Sequence, residues 1–353
     1  MKLLQRHPFF IRLFNWEYWS FHTVYGPIYP IWLFLCLRVR SLFFFNLGNP
    51  GLENGGFLME SKYRIYQQLP ANSYPDTILV EAEETLQQIL DRIVARGWTF
   101  PLLAKPDIGM RGLAVKKLET ESDLLRYHAD TTVRYLIQRF VSLPMEAGIF
   151  YYRYPGAERG QISGIVLKEV LTVEGDGENS IRLLLKKKPR YRLQLPALEK
   201  EWAVKLNQVL PAGEKWILPY GNHARGALFL DASHQADQQL TNTIDQYCRQ
   251  IEGFYYGRLD IRFESWEQLK VGENFSVIEL NGSGSEPTHM YDPSHSLFFA
   301  WREIVRHWII LWKISRINRK ITGQNYFSFR EGKELFRANS RYLKTLKASP
   351  LVK

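Results

Sequence analysis

The sequence predicts a mixed α/β protein (α+β in its mixture of strand pairings), and three observations lead there. From Thr77 onward, short apolar runs of strand length alternate with amphipathic stretches of helical period. Phe275-Ser276-Val277-Ile278-Glu279-Leu280-Asn281 alternates as a half-buried strand does, and Tyr255 to Phe263 does so in part. The chain has 353 residues, 45% hydrophobic and 14% aromatic, which excludes a mainly disordered polypeptide and leaves room for two or three subdomains. Its two cysteines, Cys36 and Cys248, suggest neither a disulfide framework nor a thiolate zinc site, so a reducing cytoplasm is expected.

Residues 1–75 form an aromatic-rich segment. The run Ile28 to Leu37 is apolar for ten residues and then meets Arg38 and Arg40, which is too short to span a bilayer as a helix. No signal peptide is evident, because Asn15 and Glu17 interrupt the early apolar stretch. The Gly and Asn residues between Gly48 and Gly56 read as turns, with a place near the active site open to them. Thr77-Ile78-Leu79-Val80 reads as a strand, and residues 83–96 read as a helix stopped by Gly97. Phe100 to Pro106 is an apolar strand that ends by projecting Lys105, since the residue before a proline is held extended. Gly109 and Gly112 follow and permit close backbone approach to an anion. Thr120-Glu121-Ser122-Asp123 opens a helix with a capping start, ahead of a strand at Tyr135 to Val141. Residues 297–321 then form a helix carrying Trp301, Trp308, Ile309 and Trp312 among arginines and lysines.

The chemistry gathers late in the chain. Asp260 on one strand, with Glu279 and Asn281 two residues apart on the next, present hard oxygen donors suited to Mg²⁺. Arg258, two residues before the aspartate, stands ready to hold an anion.

In this order the motifs resemble the ATP-grasp superfamily, and within it the D-alanine–D-alanine ligase-like carboxylate–amine ligases, over residues 74–293. The resemblance implies an ATP-grasp fold that holds its nucleotide between two subdomains. It implies Lys105 on the ATP phosphates, under a glycine-rich loop of Gly109, Met110, Arg111 and Gly112. It implies an adenine-binding hinge at Gln138, Arg139, Phe140 and Val141, a ribose-binding acid at Glu146, and metal ligands at Asp260, Glu279 and Asn281. Arg258 would stabilise the oxyanion, and Lys168 is the candidate second phosphate lysine, with the run Lys186-Lys187-Lys188 competing for that role. Residues 173–181 and the loop 221–226, with His223, resemble segments of amino-acid and peptide ligases. The implied regions are 1–75, an ATP-grasp small subdomain at 76–141, a large catalytic subdomain at 142–295 and a basic helical tail at 296–353.

The implied activity is amide formation from a small-molecule carboxylate and an amine through an acyl phosphate, using ATP and Mg²⁺ (two ions, or Mn²⁺ in their place). A small-molecule kinase and an inactive ATP-binding protein at the membrane surface are the alternatives. The region before residue 75 carries no recognisable D-alanine-binding motif, and Gly282 to Met290 departs from the acceptor loop of those ligases. The substrates are therefore open, as is the oligomeric state.

The net charge of +10 resides in the tail, where residues 301–353 hold 13 Lys and Arg against three Glu. No nucleic-acid module is visible, so no nucleic-acid partner is expected. Two aromatic-basic segments, one near each end, are expected either to be buried against the enzyme body or to lie on an anionic membrane surface. In the latter case the tryptophans would sit at headgroup depth, on the inner face of the membrane.

Overall fold

The computed structural model describes residues 7–109, 112–218 and 227–352. Two compact units divide the chain, and each is assembled from distant segments. The larger joins Ile31–Ile165, Ser233–Pro287 and Ile304–Lys353, and the smaller joins Met1–Pro30, Val166–Ala232 and Thr288–Glu303.

In the larger unit a first sheet has the strand order β1-β4-β2-β3, with β1 at Thr77–Val80, β2 at Leu102–Pro106, β3 at Lys116–Leu118 and β4 at Tyr135–Arg139. All three of its pairings are antiparallel. One face carries Ile78, Val80, Ala104 and Ile137 into a core with Ile89, Ile93, Leu124 and Tyr127 from two helices. Those helices, Leu86–Ala95 and Glu121–Asp130, each begin with a reciprocal capping box, Thr85 with Gln88 and Thr120 with Asp123. The first starts three residues later than its acidic prelude suggests, because the Thr85 side chain takes the cap. Lys105 and Gln138 occupy the opposite face of the sheet by register, since Ala104 lies opposite Ile137 and Leu103 opposite Gln138.

A second sheet in this unit sets β5 (Met145–Tyr152), β10 (Tyr256–Phe263) and β11 (Phe275–Asn281) side by side, with β10 central and antiparallel to both neighbours. Leu259, Ile261 and Phe263 lie opposite Ile149, Ala147 and Met145 and are fully buried. On this face Tyr151 donates to Asp245 of the helix Gln238–Arg249 at 2.7 Å. The other face of β10 carries Tyr256, Arg258, Asp260 and Arg262.

In the smaller unit the second half of β6 (Gln161–Glu169) pairs antiparallel with β9 (Leu228–Asp231), Val166 opposite Asp231. A short ladder of β7 (Thr172–Glu174) and β8 (Lys215–Ile217) adjoins a core of Leu171, Ile181, Leu185, Leu198 and Leu206. Here Glu17 and Arg190 form a buried pair at 2.8 Å, and Trp16 stacks on Tyr291.

The helix expected over 297–321 is observed as Leu297–Thr322. Its tryptophans are directed into the protein rather than outward. Trp308 meets Trp32 at 5.2 Å, Trp312 donates to the Leu35 carbonyl at 3.1 Å, and Trp301 donates to the Val24 carbonyl at 2.8 Å. Of the two expectations for these tryptophans, packing within the chain is the one observed. Among the described residues, no helix is long and apolar enough to cross a membrane.

Candidate active site

The site grows out of the pairing between β10 and β11. Asp260 lies directly opposite Glu279, and Arg258 directly opposite Asn281. Directly opposed residues of an antiparallel pair share a face, so all four side chains stand together, as their spacing predicts. Arg258 forks onto Asp260, Nε to Oδ1 at 2.7 Å and Nη2 to Oδ2 at 3.1 Å, and its Nη1 donates to the Glu286 carbonyl at 3.2 Å. Burial alone would lower the pKa of Arg258, but Asp260 outweighs it and the guanidinium is held more firmly protonated.

Just past Asp260 the register slips, so that Ile261 faces Val277 and Ile278 is left out of the ladder. Such a bulge frees a backbone carbonyl. The Ile278 carbonyl accepts from the Tyr66 hydroxyl and from Lys105 Nζ at 3.2 Å, while Lys105 also donates to the Tyr66 oxygen at 2.7 Å. The bulge is therefore the anchor that brings the end of β2 to the oxygen donors of β10 and β11.

Asp107 aligns a second lysine. Its carboxylate accepts from Ser61 Oγ and Tyr63 N, both at 2.9 Å, and pairs with Arg134 at 2.9 Å. The start of the helix Lys62–Gln68 is thereby fixed to the end of β2. Lys62 then reaches both the Gly109 carbonyl at 2.9 Å and Glu279 Oε1 at 3.1 Å.

Burial is the largest influence on this cluster, and the partners decide its sign. Lys105 is pulled down to about 7 by burial, with Lys62 adding to the effect and Glu279 opposing it. Burial acts the same way on Lys62, yet Glu279 and Glu60 raise it above the usual lysine range. Glu279 would be raised by burial, but Lys62 and Lys105 hold it below the ordinary carboxylate value. Glu60 is raised by burial, and its buried Oε2 has no hydrogen-bond partner among the described residues.

The remaining expected residues fall in several places. Gln138 is buried, donates to Thr77 Oγ1 at 2.7 Å and shares a hydrogen bond with Tyr66, so it serves the Lys105 network. Arg139 and Phe140 are exposed at the end of β4, with Lys117 over the Phe140 ring at 4.7 Å. The carbonyls of Val141 and Leu143 accept from Arg262, which also pairs with Glu146 at 3.2 Å. Gly109 takes part through its carbonyl, and Gly112 adopts a φ of +70°. Lys168 lies on β6 opposite Phe229, in the smaller unit, whereas the other described site residues belong to the larger. Of its competitors, Lys187 pairs with Asp176 at 3.1 Å and Lys188 lies over Tyr191. Met110, Arg111 and the loop 221–226 with His223 lie outside the described residues.

Sequence reasoning missed Lys62, Tyr66, Glu60 and Arg262. It also left the turns at 48–56 without a role. Asn49 is fully buried there, accepting from the backbone N–H groups of Tyr255 and Tyr256 at 2.8 and 2.9 Å and donating to the Gly55 and Tyr256 carbonyls. Ser283 N and Gly284 N donate to the carbonyls of Gly55 and Gly56, both at 3.0 Å. A Cβ on Gly56 would come within 2.7 Å of the Gly282 Cα, so the loop after Asn281 lies against this segment with no room for a side chain. The only local signal was the density of Gly and Asn.

Among the described residues no group of three or more His, Cys, Asp or Glu is arranged to hold a metal. The ladder offers a different set, two carboxylates and an amide. Among the described residues the buried amide nitrogen of Asn281 has no hydrogen-bond partner, so none of them prevents the amide from turning its oxygen toward Asp260 and Glu279. Oxygen-only donors of this kind fit Mg²⁺.

No family model matches the sequence, and no curated protein does. Among solved structures, the chain is similar to a bifunctional glutathione synthetase from Pasteurella multocida, at 14% identity and a TM-score of 0.38, over 74% of this chain and 38% of that one. It is similar to the D-alanine–D-alanine ligase from Bacillus anthracis at 12% identity and a TM-score of 0.41, over 80% and 71%. The corresponding ligase from Coxiella burnetii gives 12% and 0.40, over 80% and 61%. The chain thus spans well under half of the synthetase. At these scores, the assignment depends on the site's own residues.

Proposed function

We propose that this chain is an ATP-dependent carboxylate–amine ligase of the ATP-grasp type. The observation that carries the reading is the convergence of Arg258, Asp260, Glu279 and Asn281 on one sheet face, with Lys105 anchored to the bulge at Ile278. Three oxygen donors beside Arg258, Lys62 and Lys105 suit a nucleoside triphosphate entering with its metal.

In the proposed reaction a carboxylate oxygen of the substrate attacks the γ-phosphorus of ATP, and ADP leaves. The amine then attacks the carbonyl carbon of the acyl phosphate, loses a proton, and phosphate leaves as the amide forms. Lys105 is poised near neutrality, so an arriving polyanion draws it into its charged form. Arg258 is buried, protonated and oriented by Asp260, which suits it to developing oxyanion charge, a role worth roughly 10²–10³ in rate. Lys62 ties the Gly109 end of the glycine-rich loop to Glu279, coupling loop position to the phosphate site. Asp260, Glu279 and Asn281 would hold Mg²⁺ or Mn²⁺, which when bound neutralises charge on the phosphates. The hinge at 139–141 and Glu146, braced by Arg262, is the proposed seat of the nucleoside.

The direct test is incubation of the enzyme with Mg·ATP and a metabolite extract, followed by untargeted mass spectrometry. The expected product is a new amide formed in step with ADP and phosphate. A phosphorylated product lacking an amide would make the protein a kinase, and an absence of ADP with every extract would sink the reading.

A further inference from the structure

We propose that the outer face of the helix Tyr29–Val39 (its residues 31–39, which belong to the larger unit) and of the helix Phe329–Ala348 in the same unit is a docking surface for an anionic lipid bilayer. This is independent of the ligase reading. Leu33, Phe34 and Leu37 are 52%, 57% and 76% exposed, and their spacing puts them on one side of the first helix. Phe329 and Phe336 are likewise exposed on the second. Two clefts lie on this face. One of about 480 Å³ is walled by Leu33, Leu37, Leu42 and Phe327, and the other, of about 670 Å³, by Phe329 and Phe336. Phe43 lines both. A Cβ on Gly332 would fall 2.3 Å from the Phe43 ring, so the second helix is seated with its backbone on that ring.

The rim of the clefts is cationic. Arg40 edges the first, and Lys333, Arg337 and Arg341 edge the second; all four are exposed. No Asp or Glu occurs from residue 29 to residue 52. The second helix carries six Lys and Arg against two Glu, and Glu331 is engaged in the capping box with Ser328. Apolar side chains surrounded by cations match acyl chains beneath anionic headgroups. A second copy of the chain would instead set like charges against each other. Eleven helical residues extend roughly 16 Å, far short of a bilayer core, so the helix lies on the surface rather than crossing it. The tryptophans first expected at this interface are packed elsewhere, and the lipid-facing side falls to Leu33, Phe34 and Leu37.

The test is flotation of the full chain with phosphatidylcholine vesicles, with and without phosphatidylglycerol, at low and high salt. Wild type is expected to float with the anionic vesicles at low salt and to release as salt screens the rim. Two face variants, Leu33→Ser with Leu37→Ser and Arg337→Glu with Arg341→Glu, should each reduce partitioning by about tenfold or more. A control of equal charge change in the smaller unit, Lys200→Glu with Lys215→Glu, should bind as wild type does. All these positions are exposed, and circular dichroism confirms folding. Failure of wild type to float with anionic vesicles at low salt would overturn the proposal, as would face variants that float normally. A dimer dissolved by the leucine substitutions, without vesicle binding, would assign the face to self-association instead.

Discussion

Along β10, Tyr256 and Asp260 stand on the same face four residues apart, yet their surroundings are opposite in kind. Tyr256 lies opposite Tyr152 and packs on Phe150, which in turn meets His307 of the long C-terminal helix. Asp260 lies opposite Gly148 on one side and Glu279 on the other, and its neighbours are ion pairs. The strand supplies the same geometry to both ends. The element laid over each end decides whether it becomes core or site, and at the site Gly148 contributes no side chain to fill the space.

The largest effect is expected from neutralising the polar end. Glu279→Gln or Asp260→Asn should reduce Mg·ATP-dependent turnover roughly 10³-fold, through loss of several kcal/mol of charge stabilisation, with the circular dichroism spectrum unchanged. Near-normal ADP release by both variants would remove these residues from the chemistry. Arg258→Met comes next, with kcat expected to drop about 10²-fold or more while ATP affinity is nearly retained. A collapse of affinity in that variant would give Arg258 a nucleotide-binding or structural role.

The aromatic end should respond in the opposite currency. Phe150→Leu is expected to lower unfolding stability by about 1 kcal/mol in urea titrations, leaving the KM for ATP unaltered. An altered KM would mean that the two ends are coupled.

Lys105→Met gives the most pH-dependent effect. The Lys105 pKa is about 7 in the folded protein and near its ordinary value when unfolded, so between them the unfolded chain holds the extra proton. Wild-type stability therefore rises with pH across that window, and below about 7 the full penalty of a buried charge applies. The Met variant should gain most over wild type at pH 6, with that advantage reduced by about 2 kcal/mol or more by pH 9, and ATP binding should be lost. Equal stability of the two proteins at both pH values would show that Lys105 is well solvated.

Much of this architecture is legible in local pattern. The strands at Thr77–Val80 and Phe275–Asn281 match their expected bounds because alternation is a property of the segment itself. Asp260, Glu279 and Asn281 share a face because a period of two requires it, once the two strands pair without offset. What pattern does not reveal is the slip after Asp260, a property of two strands together. From that slip follow the free Ile278 carbonyl and its contact with Tyr66, 212 residues earlier in the chain. Lys62 was hidden for the same reason, since its partner Glu279 is remote and its own surroundings look like an ordinary helix start. The separation of Lys168 into the other unit likewise depends on which segments pack together.

The Asp260–Glu279 face is proposed to bind a metal–nucleotide complex. Calorimetry with a non-hydrolysable ATP analogue, with and without Mg²⁺, on wild type and Glu279→Gln, addresses it most directly. Binding should require Mg²⁺ in wild type and be lost in the variant. Binding of equal strength in all four titrations, or none in wild type with Mg²⁺, would contradict it.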